Sequence, residues 1–176
     1  MLLTTLLLAL PDPTDMLPLL NRNRELLAER GMGILGAWAL LNLIVSGYYV
    51  ARTDKRTEPH YFHQMNLGWN LVNAGLAVFG LLSAHPNQVA GMTLADSLTA
   101  QFDFEKILLF NAGLDVAYIA TGSWLRARAA ATDRRPERLL GFGRSLWLQG
   151  AFLLVFDVCF YFVYHQFTAE LLPFLD

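Results

Sequence analysis

Along the chain, apolar residues gather into four windows of about 20 positions, the length a helix needs to cross a hydrocarbon layer: roughly 32–51, 65–84, 104–125 and 142–164. Each window ends at residues that flank or stop a helix: Arg52, Lys55 and Arg56 after the first, Pro86 after the second, Arg126 and Arg128 after the third, Pro173 beyond the fourth. The connections are short. Period alone also describes a buried soluble helix, but four such windows in 176 residues leave too little polar surface to cover them. The pattern therefore predicts an all-α integral membrane four-helix bundle over residues 31–176.

Two segments precede it. Residues 1–13 are an apolar run ended by Pro11-Asp12-Pro13. The run is too short to span and reads as a signal-like segment, although it carries no basic n-region and no A-x-A-like cleavage site. In residues 14–30, Leu17, Leu20 and Leu27 fall on one side and Asn21, Arg24 and Glu25 on another. That spacing predicts a short amphipathic helix lying at the interface.

Composition agrees with a membrane address: 55% of residues are hydrophobic and 16% charged, outside the usual soluble range. The net charge of -2 matters less than its placement. Arg52, Lys55 and Arg56 lie between the first two windows, and Arg126, Arg128, Arg134, Arg135 and Arg138 between the last two. The positive-inside rule puts those two loops in the cytoplasm and both termini outside. No Lys/Arg-rich face suggests nucleic acid, so the expected partner is the lipid bilayer. Cys159 sits alone in an apolar run and has no intramolecular disulfide partner.

Polar side chains inside the windows are the candidate chemistry, because a central Asp costs about 2.5–3.5 kcal/mol on insertion. Asn111, Asp115, Tyr118 and Gly122 share one helix face in the third window, and Asn66, Asn70 and Asn73 share one in the second. At about 1.5 Å per residue, Asn42, Asn73 and Asp115 reach a common layer roughly 15–17 Å deep. Asn111 and Asp157 make a second layer at about 10 Å, with Tyr118 and Gln149 nearer the cytoplasmic side. The expected site is thus a column of Asn42, Asn70, Asn73, Asn111, Asp115, Tyr118, Gln149 and Asp157. Such a column either glues the helices together or marks an ion or substrate path. Neither carboxylate has a basic residue deep in the bundle to pair with: Lys106 heads the third window, and Arg144, at the cytoplasmic end of the fourth, lies too far from Asp157 to bridge.

The remaining motifs carry less. His60 and His63 with Glu58 or Asp54 fall short of a metal set. His85 and His165 lie at equivalent ends of the second and fourth windows, at the membrane edge rather than inside the bundle where a haem would sit, so no cofactor is implied. No catalytic motif is present. Trp38, Trp69, Trp124 and Trp147 fall mostly near window ends and fit interfacial belts, with a cavity wall as the alternative for Trp38 and Trp69. An offset of 75 aligns Gly47 with Gly122, Gly68 with Gly143 and Gly75 with Gly150; an offset of 38 instead superposes Asn73-Ala74-Gly75-Leu76 on Asn111-Ala112-Gly113-Leu114.

Three segments carry a family likeness: Tyr61-Phe62-His63-Gln64-Met65-Asn66 with Trp69-Asn70 and Asn73; Asn111 with Gly113-Leu114-Asp115 and Tyr118; and Gln149-Gly150-Ala151-Phe152 with Asp157. Together they resemble an uncharacterised group of small bacterial membrane proteins, common in Bacteroidota-like organisms, with a signal-like start and four spans. The resemblance covers most of the chain after Asn21. It implies a multi-pass protein of the bacterial inner membrane, and it carries no activity to any residue.

The leading expectation is a non-enzymatic membrane protein whose polar column holds a small ligand, a lipid headgroup, a quinone or a proton. A structural or accessory subunit is the alternative: the column is then only glue, and the Arg-rich loop from Arg126 to Arg138 docks anionic lipid or a partner protein, or four spans pair into a homo-oligomer. A third reading makes Asp115 and Asp157 an acid/base pair in a membrane enzyme.

Overall fold

The computed structural model describes residues 13–132 and 134–175, so the signal-like segment lies almost wholly outside the described residues. Four long helices follow one another: α1 (Pro13–Arg52), α2 (Glu58–Ser83), α3 (Leu94–Ala130) and α4 (Pro136–Leu171). Single turns of tighter helix precede α3 at Val89–Gly91 and follow α4 at Leu172–Phe174.

Helix α1 is 40 residues long, about 60 Å at the usual rise. The interfacial helix expected over 14–30 is not a separate element but the first part of α1. Gly31 and Gly33 each cost a helix only about 1 kcal/mol, and Pro18, the proline inside α1, falls in the opening turns, where it removes one early hydrogen bond. Helix α3 likewise starts ten residues before its apolar window. Thr93 and Asp96 form a capping box there: Thr93 Oγ1 accepts from the Asp96 N–H at 3.2 Å, and Asp96 Oδ2 accepts from the Thr93 N–H at 3.3 Å. That reciprocal pair satisfies two donors that a helix start leaves open.

The helices pack in the order α1, α2, α4, α3. The α3/α4 seam is the tightest, because glycines let the backbones touch. A Cβ added to Gly122 would lie 2.7 Å from the Gly143 carbonyl oxygen, and one on Gly150 would lie 2.9 Å from that of Asp115. Gly68 and Gly75, which the 75-residue offset equates with Gly143 and Gly150, face open space. The two hairpins are therefore not packed alike at these positions.

Inside and outside are reversed relative to a soluble bundle. Among the described residues, 15 buried side chains are polar or charged and 11 are hydrophobic, while Ile44, Phe79, Leu82 and Phe110 are each at least 67% exposed. A water-soluble surface does not expose apolar residues on this scale. Three helical stretches, Met16–Arg52, Glu58–Ser83 and Pro136–Phe174, are long and apolar enough to cross a membrane. The sequence windows predict four. Helix α3 falls short of that composition because Asp103, Glu105 and Lys106 crowd its first half, and Asn111 and Asp115 follow within its apolar stretch.

One end of the bundle is basic and aromatic. Guanidinium groups of Arg52, Arg126, Arg128 and Arg138 lie 4.9–5.5 Å from the ring centroids of Tyr48, Trp147, Trp124 and Phe142. Arg144 forms an ion pair of 2.6 Å with Glu58 at the same end.

Candidate functional site

The polar residues of the interior sort into three groups. The first is a hydrogen-bonded seam joining α1, α2 and α4. Asn66 is its hub: its Nδ2 donates to Asn42 Oδ1 at 2.8 Å and to Ser46 Oγ at 3.1 Å, while its Oδ1 accepts from Ser145 Oγ at 3.1 Å and Gln149 Nε2 at 2.6 Å. Gln149 Oε1 in turn accepts from Trp38 Nε1 at 3.0 Å and Asn73 Nδ2 at 3.5 Å. Asn42 and Asn70 each return a donor to their own helix, at the Trp38 and Asn66 carbonyls. Gly141 lets α4 approach α2 beside this seam, since a Cβ there would meet the Glu58 carbonyl oxygen at 2.6 Å.

The second group lines a cavity. Because α4 lies between α2 and α3 in the packing order, those two helices stand apart, and the space between them holds about 520 Å³. Its walls are mostly apolar, including Leu76, Phe79, Leu108 and Phe156. Asn73, Asn111, Asp115, Tyr118 and Asp157 are among the residues that line it, so five of the eight residues expected to form the column border this space. Antiparallel α3 and α4 set Gly150 beside Asp115. Asp115 on α3 and Asp157 on α4 line the same cavity. Asp115 is 2% exposed, and its Oδ2 has no hydrogen-bond partner. Neither does Trp69 Nε1, in the same wall, whose ring stands edge-on to Tyr118 with centroids 4.8 Å apart.

The third group, at the end of the bundle where α3 begins, is one that the sequence reading does not assemble. Arg24 is fully buried; its Nη1 donates to the Ser97 carbonyl at 2.8 Å and to Ser97 Oγ at 3.1 Å, and Ser97 Oγ also bonds Asn21. One helix turn on, Gln101 donates to Glu105 Oε1 at 2.7 Å and to the Tyr164 carbonyl at 3.0 Å. His165 and Thr168 reach Glu105 as well, at 3.0 and 2.8 Å. These contacts tie the first turns of α1 to α3, and α3 to α4.

Several expectations resolve differently. Of the three residues expected at one depth, Asn42 bonds Asn66, Asn73 bonds Gln149, and Asn73 and Asp115 both line the cavity. A cavity wall is the alternative for two tryptophans: Trp69 lines the space, whereas Trp38 stacks on Phe152 at 3.8 Å and donates to Gln149. His60 contacts Thr53 Oγ1 at 3.2 Å and His63 contacts Ser46 Oγ at 3.3 Å. No group of three or more metal-ligating side chains occurs among the described residues. His85 bonds the Ser83 carbonyl while His165 bonds Glu105.

Residues 34–158 match a family of unknown function (DUF6992). No curated protein and no solved structure matches the chain.

Proposed function

The chain belongs to this family of unknown function, and we propose that it is a non-enzymatic membrane protein that holds a small, largely apolar ligand in the cavity between α2 and α3. One observation carries the reading: Asp115 Oδ2 and Trp69 Nε1 are buried without partners in the wall of a 520 Å³ space. Unpartnered buried polar atoms cost about 1–3 kcal/mol each, and a mostly apolar pocket with a few convergent polar groups is the usual form of a small-molecule site.

The apolar exterior and polar interior support a bilayer-spanning bundle. In this proposal α3 crosses too, turning Asn111, Asp115 and Tyr118 inward against α4. The cluster of Arg52, Arg126, Arg128 and Arg138 with their aromatic partners supports assigning that end to the cytoplasm; the proposed topology has both termini outside a bacterial cytoplasmic membrane.

Glue is the better reading for Asn42, Asn73 and Gln149 of the column. The seam of Asn42, Asn66, Asn73, Ser145 and Gln149 satisfies its own donors, and we assign it to helix association. Ligand binding is assigned to Asp115 and Asp157, with Asn111 and Tyr118 beside them.

Native mass spectrometry of the detergent-purified protein tests the assignment. A stoichiometric bound mass is expected, lost when Leu114→Trp fills the cavity and kept when Gln149→Leu cuts the seam. An unliganded mass, or a bound mass indifferent to Leu114→Trp, overturns it.

A further inference from the structure

The cavity's polar lining has a sign. Three acidic residues, Glu25, Asp115 and Asp157, face it, and no Lys, Arg or His among the described residues does. Glu25 has Arg24 Nη2 at 3.9 Å. Asp115 and Asp157 take part in no ion pair among the described residues. Two carboxyl groups lining one mostly apolar cavity are either protonated or neutralised by a cation.

We infer that the ligand is a protonated lipophilic amine whose ammonium group sits at Asp115 and Asp157 while its apolar body lies along Leu76, Phe79, Leu108 and Phe156. The inference rests on the cavity reading proposed above and deepens it by naming the ligand's chemistry. An ammonium donates to both carboxylates and needs no acceptor in return, which suits the unpartnered Asp115 Oδ2. Trp69 and Tyr118 line the same wall, their rings edge to face with centroids 4.8 Å apart. An anionic head, phosphate or carboxylate, meets two acids and no positive partner. A neutral head fits only with the carboxyl groups protonated. A bare metal ion takes a shell of oxygen ligands and has no use for walls this apolar or a space this large.

The test uses the full chain in nanodiscs of zwitterionic lipid and three compounds of one skeleton: 4-phenylbutylamine, 4-phenylbutanol and 4-phenylbutyrate. Radiolabelled amine binds saturably, the alcohol competes at least tenfold more weakly, and the acid does not compete. Asp115→Asn and Asp157→Asn each weaken amine binding at least tenfold and leave alcohol binding unchanged. Should Asp115→Asn not fold, Asp157→Asn and the ranking on the native chain decide. Equal affinity for amine and alcohol overturns the inference yet leaves the cavity reading standing, as does amine binding indifferent to both substitutions. Absence of saturable amine binding also overturns it. The Leu114→Trp mass experiment then tells separately whether the cavity reading falls with it.

Discussion

Gln149 on α4 donates to Asn66 on α2 at 2.6 Å, and the same Asn66 oxygen accepts from Ser145 one turn earlier on α4. One amide thus holds two successive turns of a neighbouring helix, and its own NH2 group fastens Asn42 and Ser46 of α1. Removing Gln149 as Leu leaves Trp38, Asn73 and Asn66 short of a partner. The expected loss is about 1–3 kcal/mol. A double-mutant cycle of Gln149→Leu with Asn66→Leu, read by reversible unfolding in detergent, should return a coupling of about 0.6–1.7 kcal/mol, the range found for hydrogen bonds inside membranes.

The α3/α4 seam admits a sharper contrast. Gly122→Leu forces a side chain into the Gly143 carbonyl and the Trp147 ring, so a stability loss of at least about 1–3 kcal/mol is expected from overpacking alone. Gly75→Ala meets nothing within 4 Å and should leave stability unchanged or raise it by up to about 1 kcal/mol through helix propensity. Thermal unfolding of the two variants side by side checks both. A destabilised Gly75→Ala would mean that this face of α2 is covered.

Arg24 holds α1 to α3 through two bonds to Ser97. Arg24→Met keeps the length of the side chain and loses both donors. Hydrogen bonds to a charged group contribute about 1.5–3 kcal/mol, and the loss should be local, since the Asn66 seam lies at the far side of the cavity. Hydrogen–deuterium exchange over residues 16–28 should accelerate at least tenfold while residues 60–75 keep their protection. Faster exchange throughout would instead make Arg24 a determinant of the whole fold.

Cys159 offers a direct reading of topology. The free thiol is exposed on α4, yet a lipid-facing position keeps it from water and from the thiolate state that maleimides need. In intact membranes Cys159 should resist a charged maleimide and react once the protein is denatured. In a Cys159→Ala background, Lys55→Cys should label only after the cytoplasmic face is opened, and Asn87→Cys without opening it. Reversed labelling would invert the orientation.

The four helices are legible in the sequence because an apolar window is a strong local signal. Their true ends are less so. The sequence pattern divides an interfacial helix over 14–30 from the first span, but no proline or cap enforces a break there, so α1 continues through. The Thr93/Asp96 box starts α3 well before its apolar stretch, among residues whose polarity hides the helix from a hydropathy reading. Asp115 and Asp157 stand out because each is expensive where it lies. Ser46, Ser97 and Ser145 do not stand out, since a serine costs a helix little and its partners are remote: Arg24 and Ser97 are 73 residues apart. Which polar residues become seam and which become cavity depends on the order α1, α2, α4, α3, and nothing in a single helix's periodicity encodes its neighbour.

The separation of α2 from α3 has a consequence for any measurement on the guest. If both helices cross the bilayer, the doorway between them faces hydrocarbon chains and not the aqueous phase. Occupancy then follows the guest's concentration dissolved in lipid, which for an amphiphile exceeds its total concentration in the buffer by its partition coefficient. Apparent affinity will scale with the amount of lipid or detergent in the sample. Detergent tails, sharing the same phase and the same doorway, will act as competitors.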